Sequence, residues 1–270
     1  MDINTLNSRR TFILASALSM GSRLSWAQDT PKIGVILMHG KNGTPNDPAL
    51  QPLKAAMERQ GWTVVLPEMQ WSRRRYLEGN WDAVMNDLAA QVKALQGQGI
   101  QKIVLMGHSM GVPAAMSHAA RGGVVDALVL LAPGHIPYGY YNYPPLIAVR
   151  ESIDDARAKV GAGQGDQTGR FQDVNQGRQQ VVITTPKNYL SFFDPQSDAD
   201  MGVTAPRIPP NVPVMTLIGE KDPLFSNVRA YYVDKLPPNP KSKYLEVPGG
   251  HMDTPRVSID AVIEWIKAAV

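Results

Sequence analysis

The chain has 270 residues, of which 43% are apolar and 19% charged, a balance that fits one globular domain and excludes a disordered chain. The formal net charge is only +3, and residues 1–27, with Asp2 and the arginines Arg9, Arg10 and Arg23, carry +2 of it. The rest of the chain is therefore close to neutral, so its charge gives no reason to expect nucleic acid as a partner. The absence of cysteine excludes a disulfide framework, a thiolate metal site and a cysteine nucleophile.

The N-terminal segment has the three parts of a bacterial export signal. The pair Arg9-Arg10 precedes a modestly apolar stretch over residues 11–20, and Ser25-Trp26-Ala27 supplies small residues before a cleavage site. This segment resembles a twin-arginine leader, the type that exports folded proteins, and its apolar stretch is shorter than the about 20 residues that span a bilayer. We therefore predict a signal peptide over residues 1–27, with the twin-arginine export machinery as a partner during transport. A disordered tail is the alternative.

The remaining residues, 28–270, are expected to form one domain in the periplasm or outside the cell, without stable membrane insertion. Six apolar segments are typical of buried strands, at residues 32–40, 62–66, 102–106, 127–132, 212–218 and 244–247. Five segments have helix-start residues or helical spacing, at about residues 47–60, 80–97, 110–121, 227–236 and 257–270. This alternation predicts an α/β fold with a doubly wound, mostly parallel sheet of about six strands.

Residues 136–210 interrupt the alternation. The stretch begins with a tyrosine-rich loop and continues with a predicted helix at about 145–160, a small hairpin around Asn175-Gln176-Gly177 and a helix at 186–193. An insertion of this length inside a compact domain is usually functional. We interpret it as a lid over the site.

A nucleophile motif follows the third predicted strand. The segment Gly107-His108-Ser109-Met110-Gly111 lies between a strand and an alanine-rich helix, and its flanking glycines allow the tight, strained turn that exposes a nucleophilic serine. The N-terminus of that helix also favours negative charge that develops nearby. We predict Ser109 as the nucleophile, with an ordinary helix-capping serine as the alternative.

A serine hydroxyl needs a base within hydrogen-bond reach, and the base needs an orienting acid. His251 follows the last predicted strand, at the sheet edge where reactive groups gather in a doubly wound fold, and it is the expected general base. His135, at the same edge but on an earlier strand, is the alternative. Asp222 is the expected acid, with Glu220 as its nearest competitor and helix capping as its alternative role, whereas Asp253 is expected to point elsewhere or to form an Asx turn.

Two N–H donors must meet the negative charge that develops on the carbonyl oxygen of a substrate. The amide of Met110, immediately after Ser109, is one expected donor. The second is expected from the glycine-bearing loop after the first strand, where the amide of Lys41 is favoured and that of Asn42 is the alternative. A merely flexible turn is the other interpretation of this loop.

Two further features are weaker candidates for substrate binding. The tyrosine-rich segment contains Tyr138, Tyr140 and Tyr141, which could line a pocket for an aromatic or acyl group or could serve packing and turn formation. The run Arg73-Arg74-Arg75 could hold an anionic substrate, although a charge run in a loop is usually solvated.

The order of these motifs, HG at 39–40, GHSMG at 107–111, GEKD at 219–222 and GGH at 249–251, resembles the α/β-hydrolase superfamily. That family has serine, acid and histidine in this chain order. The similarity is greatest to small esterases and dienelactone-hydrolase-like members, although the nucleophile here is serine and not the cysteine of true dienelactone hydrolases. Because the first predicted strand begins soon after the leader, the family's first two antiparallel strands are expected to be absent.

The residues and the resemblance together predict a serine hydrolase that cleaves a small-molecule carboxylic ester through an acyl-enzyme, with no cofactor and no metal. The sequence has no phosphate-binding loop, dinucleotide fingerprint or H-E-x-x-H motif. Two alternatives stay open. One is thioester hydrolysis, amide hydrolysis or acyl transfer by the same residues, and the other is a non-catalytic periplasmic binding protein of this fold.

Overall fold

The computed structural model of the protein describes residues 31–270. The predicted signal peptide lies outside these residues. Within them, the structure contains no helix whose length and apolar character would let it cross a membrane.

A six-stranded parallel sheet forms the centre of the described domain. The strands in chain order are β1 (Ile33–Met38), β2 (Thr63–Val65), β3 (Lys102–Ser109), β4 (Ala127–Pro133), β5 (Gly169–Asn175), β6 (Arg178–Thr184), β7 (Val214–Gly219) and β8 (Lys243–Val247). The sheet has the spatial order β2-β1-β3-β4-β7-β8, while β5 and β6 form a separate antiparallel hairpin. The predicted α/β fold with about six parallel strands is confirmed.

The helices connect the strands and cover the sheet. In chain order they are α1 (Gln51–Glu58), α2 (Trp81–Gly97), α3 (Gly111–Ala120), α4 (Pro137–Asn142), α5 (Ile147–Gly161), α6 (Pro186–Phe193), α7 (Met201–Thr204), α8 (Val228–Tyr231), α9 (Thr254–Val257) and α10 (Ile259–Ala269). The core consists of two apolar clusters, one for each face of the sheet. Alternate residues of β3 belong to different clusters, with Leu105 in one and Val104 and Met106 in the other.

Two predicted helices have different bounds for identifiable reasons. The pair Asp47-Pro48 does not start α1: the Asp47 side chain accepts the amide of Ala49 at 3.0 Å, as a cap would, but the Asp47 carbonyl accepts the amide of Leu50 at 3.1 Å. Residues 47–50 therefore form a turn, and α1 begins at Gln51. The predicted helix at 227–236 is interrupted at Tyr232, whose φ of −146° is not helical. The side chain of Tyr232 is fully buried and its hydroxyl lies 3.2 Å from Thr216 Oγ1 of β7, so this contact takes precedence over a continuous helix.

The insertion at 136–210 contains α4 to α7 and the β5–β6 hairpin. The predicted hairpin is confirmed, and its turn residues Gln176 and Gly177 have φ values of 48° and 74°, as a two-residue hairpin turn requires. The prediction of a loop at the tyrosine-rich segment is wrong, because Pro137–Asn142 form helix α4. Phe171 and Tyr189 of the insertion share an apolar cluster with Leu105 of the central sheet, so the insertion is packed onto the domain. Its action as a lid stays a prediction.

Candidate active site

Ser109 lies on a strained turn between β3 and α3. Its φ is +54°, a region that residues other than glycine rarely occupy. The turn depends on both flanking glycines, because a Cβ on Gly107 would lie 2.2 Å from the Gly111 carbonyl carbon and oxygen, and a Cβ on Gly111 would lie 2.6 Å from the Met38 carbonyl oxygen. The strained strand-to-helix turn expected from the sequence is therefore present.

Two more glycines border the hydroxyl group of Ser109. A Cβ on Gly134 would lie 2.6 Å from Ser109 Oγ, and a Cβ on Gly40 would lie 3.4 Å from it. The amide of Gly134 also donates to the Ser109 carbonyl at 3.2 Å. Sequence analysis did not single out Gly134, although its position just after β4, whose Pro133 pairs with Ser109, is a usable signal. The hydroxyl thus leaves no room for a side chain at Gly134, and at Gly40 the tight contact of a Cβ would be with Ser109 Cβ, at 3.0 Å.

His251 and Asp222 are joined by a hydrogen bond at the same edge of the sheet. His251 Nδ1 donates to Asp222 Oδ2 at 2.7 Å, and the Asp222 side chain is fully buried. The second oxygen of Asp222 accepts the amide of Leu224 at 2.9 Å, which fixes the carboxylate. Ser109 Oγ makes no hydrogen bond to His251 in the structure. This does not argue against His251 as the base, because catalytic hydrogen bonds are often long before substrate binds.

Asp253 and Glu220, the other carboxylates close to this site in the sequence, do not bind His251. Asp253 accepts the amide of Gly250, three residues earlier, at 3.0 Å, so it has a partner other than His251, as expected, but this bond is not an Asx turn. Glu220 is exposed to solvent. The buried partner of His251 is therefore Asp222 and neither of these two carboxylates.

His108, the residue before Ser109, supports the His251 loop. Its Nε2 lies 3.1 Å from the His251 carbonyl oxygen, and because a carbonyl only accepts, this nitrogen carries the proton. Burial, reinforced by the neighbouring His251, lowers the pKa of His108 to about 4. His108 is therefore neutral near pH 7 and fixes the backbone of His251 as a hydrogen-bond donor.

The two amides proposed for the oxyanion lie near the ends of β1 and β3. Within residues 31–270, the amides of Lys41 and Met110 donate to no other protein group, so both are available to a ligand. The amide of Asn42 donates to the Trp71 carbonyl at 3.0 Å. This bond excludes the alternative donor and leaves Lys41 for that loop.

The side chain of Lys41 makes a buried ion pair with the insertion. Its Nζ donates to Asp173 Oδ1 of β5 at 2.7 Å and to the Val174 carbonyl at 3.1 Å, and the exposed fractions of the Lys41 and Asp173 side chains are 5% and 0%. Burial by itself would lower the pKa of Lys41 and raise that of Asp173. The attraction between the two charges outweighs burial, so the pKa of Lys41 is raised and that of Asp173 is lowered.

Further hydrogen bonds extend this ion pair into a network. The hydroxyl of Tyr76 and the amide group of Gln180 both donate to Asp173. Gln180 in turn accepts from Asn42 Nδ2 at 3.1 Å. The hairpin of the insertion therefore holds the loop of Lys41 and Asn42 at two points, a link that sequence analysis missed because its partners are far apart in the chain.

A cavity of about 1080 Å³ lies between the insertion and the segment that follows β7. Tyr138 and Tyr140 are among the residues that line it, as the sequence suggested. Ser109 is not among them, but Pro133, its neighbour on β4, and Pro223, next to Asp222, are. The cavity therefore adjoins the site of Ser109, His251 and Asp222.

Tyr141 lies away from the cavity, so the structure does not support its proposed contact with substrate. Its hydroxyl donates to Asp154 at 3.0 Å, and the guanidinium groups of Arg150 and Arg157 lie 5.1 and 4.9 Å from the centre of its ring. These contacts join α4 to α5. Packing, the alternative interpretation of the tyrosines, therefore describes Tyr141.

His135, the alternative base, is fixed inside the insertion. Its Nε2 donates to the Phe192 carbonyl at 2.7 Å, and burial together with the charge of Lys41 lowers its pKa to about 3. A ring this buried and this weakly basic is a poor proton acceptor for Ser109. No group of three or more His, Asp or Glu side chains in the described part of the chain is arranged to hold a metal ion.

The sequence over residues 35–261 matches the family model described as the alpha/beta hydrolase family. The chain belongs to the α/β-hydrolase family. No curated protein matches the sequence. Membership of this family agrees with the fold and with the resemblance on the four sequence motifs.

Solved structures of other α/β hydrolases have the same fold. Est1E from Butyrivibrio proteoclasticus with bound ferulic acid has 15% identity and a TM-score of 0.61, with 90% of this chain and 91% of that chain covered. A thermostable carboxyl esterase from Bacillus coagulans has 16% identity and a TM-score of 0.61, with coverages of 89% and 90%. The thioesterase domain of the curacin biosynthetic pathway has 16% identity and a TM-score of 0.52, with coverages of 89% and 92%.

Removal of Asp173 should destabilise this α/β hydrolase strongly. In Asp173→Ala, the Lys41 ammonium stays buried without its carboxylate, and we expect a loss of about 3–5 kcal/mol in the free energy of unfolding. Asp166→Ala is a matched control in the same insertion, because Asp166 pairs with Lys187 on the surface, and its loss should be below about 1 kcal/mol. Chemical denaturation measures both. Equal, small losses would contradict a structural role for the buried pair.

Proposed function

We propose that the protein hydrolyses carboxylic esters through an acyl-enzyme, with Ser109 as nucleophile, His251 as general base and Asp222 as the orienting acid. The observation that carries this proposal is the 2.7 Å hydrogen bond from His251 to the buried Asp222 carboxylate, at the sheet edge where Ser109 has its strained turn. The esterases among the structural neighbours support an ester as substrate.

In the first half of the reaction, Ser109 Oγ attacks the carbonyl carbon of the ester while its proton passes to His251 Nε2. Asp222 accepts from Nδ1, which holds the imidazole in the required tautomer and stabilises its protonated form. The amides of Lys41 and Met110 donate to the oxyanion. Collapse of the tetrahedral intermediate breaks the bond to the alcohol, which leaves with the proton from His251, and the acyl group stays on Ser109.

In the second half, water replaces the alcohol. His251 removes a proton from the water molecule, whose oxygen attacks the acyl carbon, and the oxyanion forms again beside the same two amides. The second intermediate collapses with return of the proton to Ser109 Oγ. The carboxylic acid leaves and the site is restored, so every step uses only groups of this chain and water.

Site variants test this mechanism through kcat/KM on p-nitrophenyl acetate. We expect Ser109→Ala to lower it by about ten-thousand-fold, because the nucleophile is removed, and Asp222→Asn by about a hundred-fold or more, because the tautomer of His251 is no longer fixed. Glu220→Gln is the matched control. It removes an exposed carboxylate two residues from Asp222 and should change kcat/KM by less than about twofold.

A folded Ser109→Ala protein with the wild-type rate would contradict the mechanism. A parallel series of thioesters and amides with the same acyl group distinguishes the other reactions open to the same residues. A folded wild-type protein that cleaves none of these classes would favour a non-catalytic binding protein instead.

We also propose that the protein acts in the periplasm after twin-arginine export and removal of residues 1–27. Replacement of Arg9 and Arg10 by lysine keeps the charge but should leave the unprocessed protein in the cytoplasm, since the export machinery reads the arginine pair. Arg23→Lys is the control and should be exported normally. Cell fractionation with N-terminal mass analysis measures the outcome, and normal export of the double variant would contradict the proposal.

A further inference from the structure

One end of the cavity carries a group of polar side chains around Gly202. A Cβ on Gly202 would lie 3.0 Å from Asp200 Oδ1, 3.3 Å from Lys235 Nζ and 3.4 Å from Tyr231 Cε2. All four residues line the cavity. An acceptor, a cation and a phenol therefore surround a single point at this end, which we call the polar end.

These groups have hydrogen-bonding capacity that the protein does not fill. Asp200 accepts the amides of Tyr138 and Gly202 at 2.7 and 2.8 Å, and a carboxylate can accept about two bonds more. The hydroxyl of Tyr231 is buried and has no hydrogen bond of good geometry to a described residue, and burial together with the nearby Asp200 carboxylate raises its pKa. Lys235 is in none of the ion pairs between described residues.

The rest of the cavity is mostly apolar. Its walls include aliphatic and thioether side chains from the insertion and from the segment after β7, namely Ile136, Leu146, Met201, Leu224 and Val228. The cavity begins beside Pro133 and Pro223, which adjoin Ser109 and Asp222. A substrate that reacts at Ser109 can therefore extend a chain along apolar walls and reach the polar end.

We propose that the cavity binds the part of the ester substrate remote from the reacting carbonyl, and that Asp200, Tyr231 and Lys235 recognise an uncharged hydroxyl group on it. This inference rests on the proposed esterase function. A hydroxyl group fits because it can donate to Asp200 and accept from Lys235 or Tyr231 at the same time.

Other chemical groups fit the polar end less well. A carboxylate would be attracted by Lys235 but repelled by the more deeply buried Asp200, and an ammonium group would be attracted by Asp200 but repelled by Lys235. A methyl group would leave the buried Asp200 carboxylate and Tyr231 hydroxyl without a new partner, whereas Lys235 is exposed to water, and unpaired buried polar groups are what makes such sites selective. Burial raises the pKa of Asp200, so an additional donor from the ligand would stabilise its charged form.

Paired substrates test this proposal. One series consists of p-nitrophenyl esters of straight-chain acids and their terminally hydroxylated analogues of equal length, and a second consists of acetates of straight-chain alcohols and of the matching diols. The series whose varied chain occupies the cavity should show the effect. At the chain length that reaches the polar end, we expect about a tenfold higher kcat/KM for the hydroxylated ester than for the plain ester. The difference should be mainly in KM, because this contact is distant from the reacting atoms.

Variants assign the preference to these side chains. In Tyr231→Phe and in Lys235→Met, the ratio of kcat/KM for the hydroxylated ester to kcat/KM for the plain ester should fall below about three. Tyr244→Phe is the matched control, because Tyr244 also has a buried, unpaired hydroxyl but does not line the cavity, and it should keep the full preference. Equal rates for the hydroxylated and plain esters at every length, or a preference that survives in both cavity variants, would overturn the proposal.

A binding measurement separates this inference from the proposed catalysis. Calorimetry with the Ser109→Ala protein compares the binding of straight-chain diols with that of the alcohols of equal length, without any turnover. Tighter binding of the diols, lost in Ser109→Ala combined with Tyr231→Phe, supports the polar end even if no ester is hydrolysed. Equal binding of both compounds would contradict it even if esters are hydrolysed at Ser109.

Discussion

The close approach of the β3 and α3 backbones is the constraint on which the site depends. Gly107 and Gly111 leave no room for a side chain between strand and helix, and the chain passes from one to the other with Ser109 at a positive φ. The hydroxyl then projects between Gly40 and Gly134. The loops after β7 and β8 end at the same sheet edge, because parallel strands present their carboxyl ends together.

A second constraint joins the insertion to this edge. The buried pair of Lys41 and Asp173 holds the hairpin on the loop that carries one proposed oxyanion donor. Lifting the hairpin would break this ion pair together with the hydrogen bonds of Tyr76 to Asp173 and of Asn42 to Gln180. Movement of the insertion as a lid that keeps these contacts would be limited to its other elements. The insertion thus serves both as a wall of the cavity and as a support for the loop of Lys41.

Features that depend on local patterns could be predicted from the sequence. Continuous apolar runs indicated the strands, helix α6 has the predicted bounds, and the motif around Ser109 has the predicted turn. Features that depend on distant partners could not. Nothing local marks Asp173 as the partner of Lys41, 132 positions earlier. Similarly, the interruption at Tyr232 follows from its contact with β7, and the polar end of the cavity brings Asp200 to Lys235 only in the folded chain.

The activation of Ser109 is the central claim, and covalent labelling tests it most directly. The protein over residues 28–270 is exposed to a fluorophosphonate, which reacts with activated serine nucleophiles, and its intact mass is measured beside that of Ser109→Ala. We expect one adduct on the wild-type protein, located on the peptide that contains Ser109, and none on the variant. A folded wild-type protein that stays unlabelled, or a variant labelled to the same extent, would contradict it.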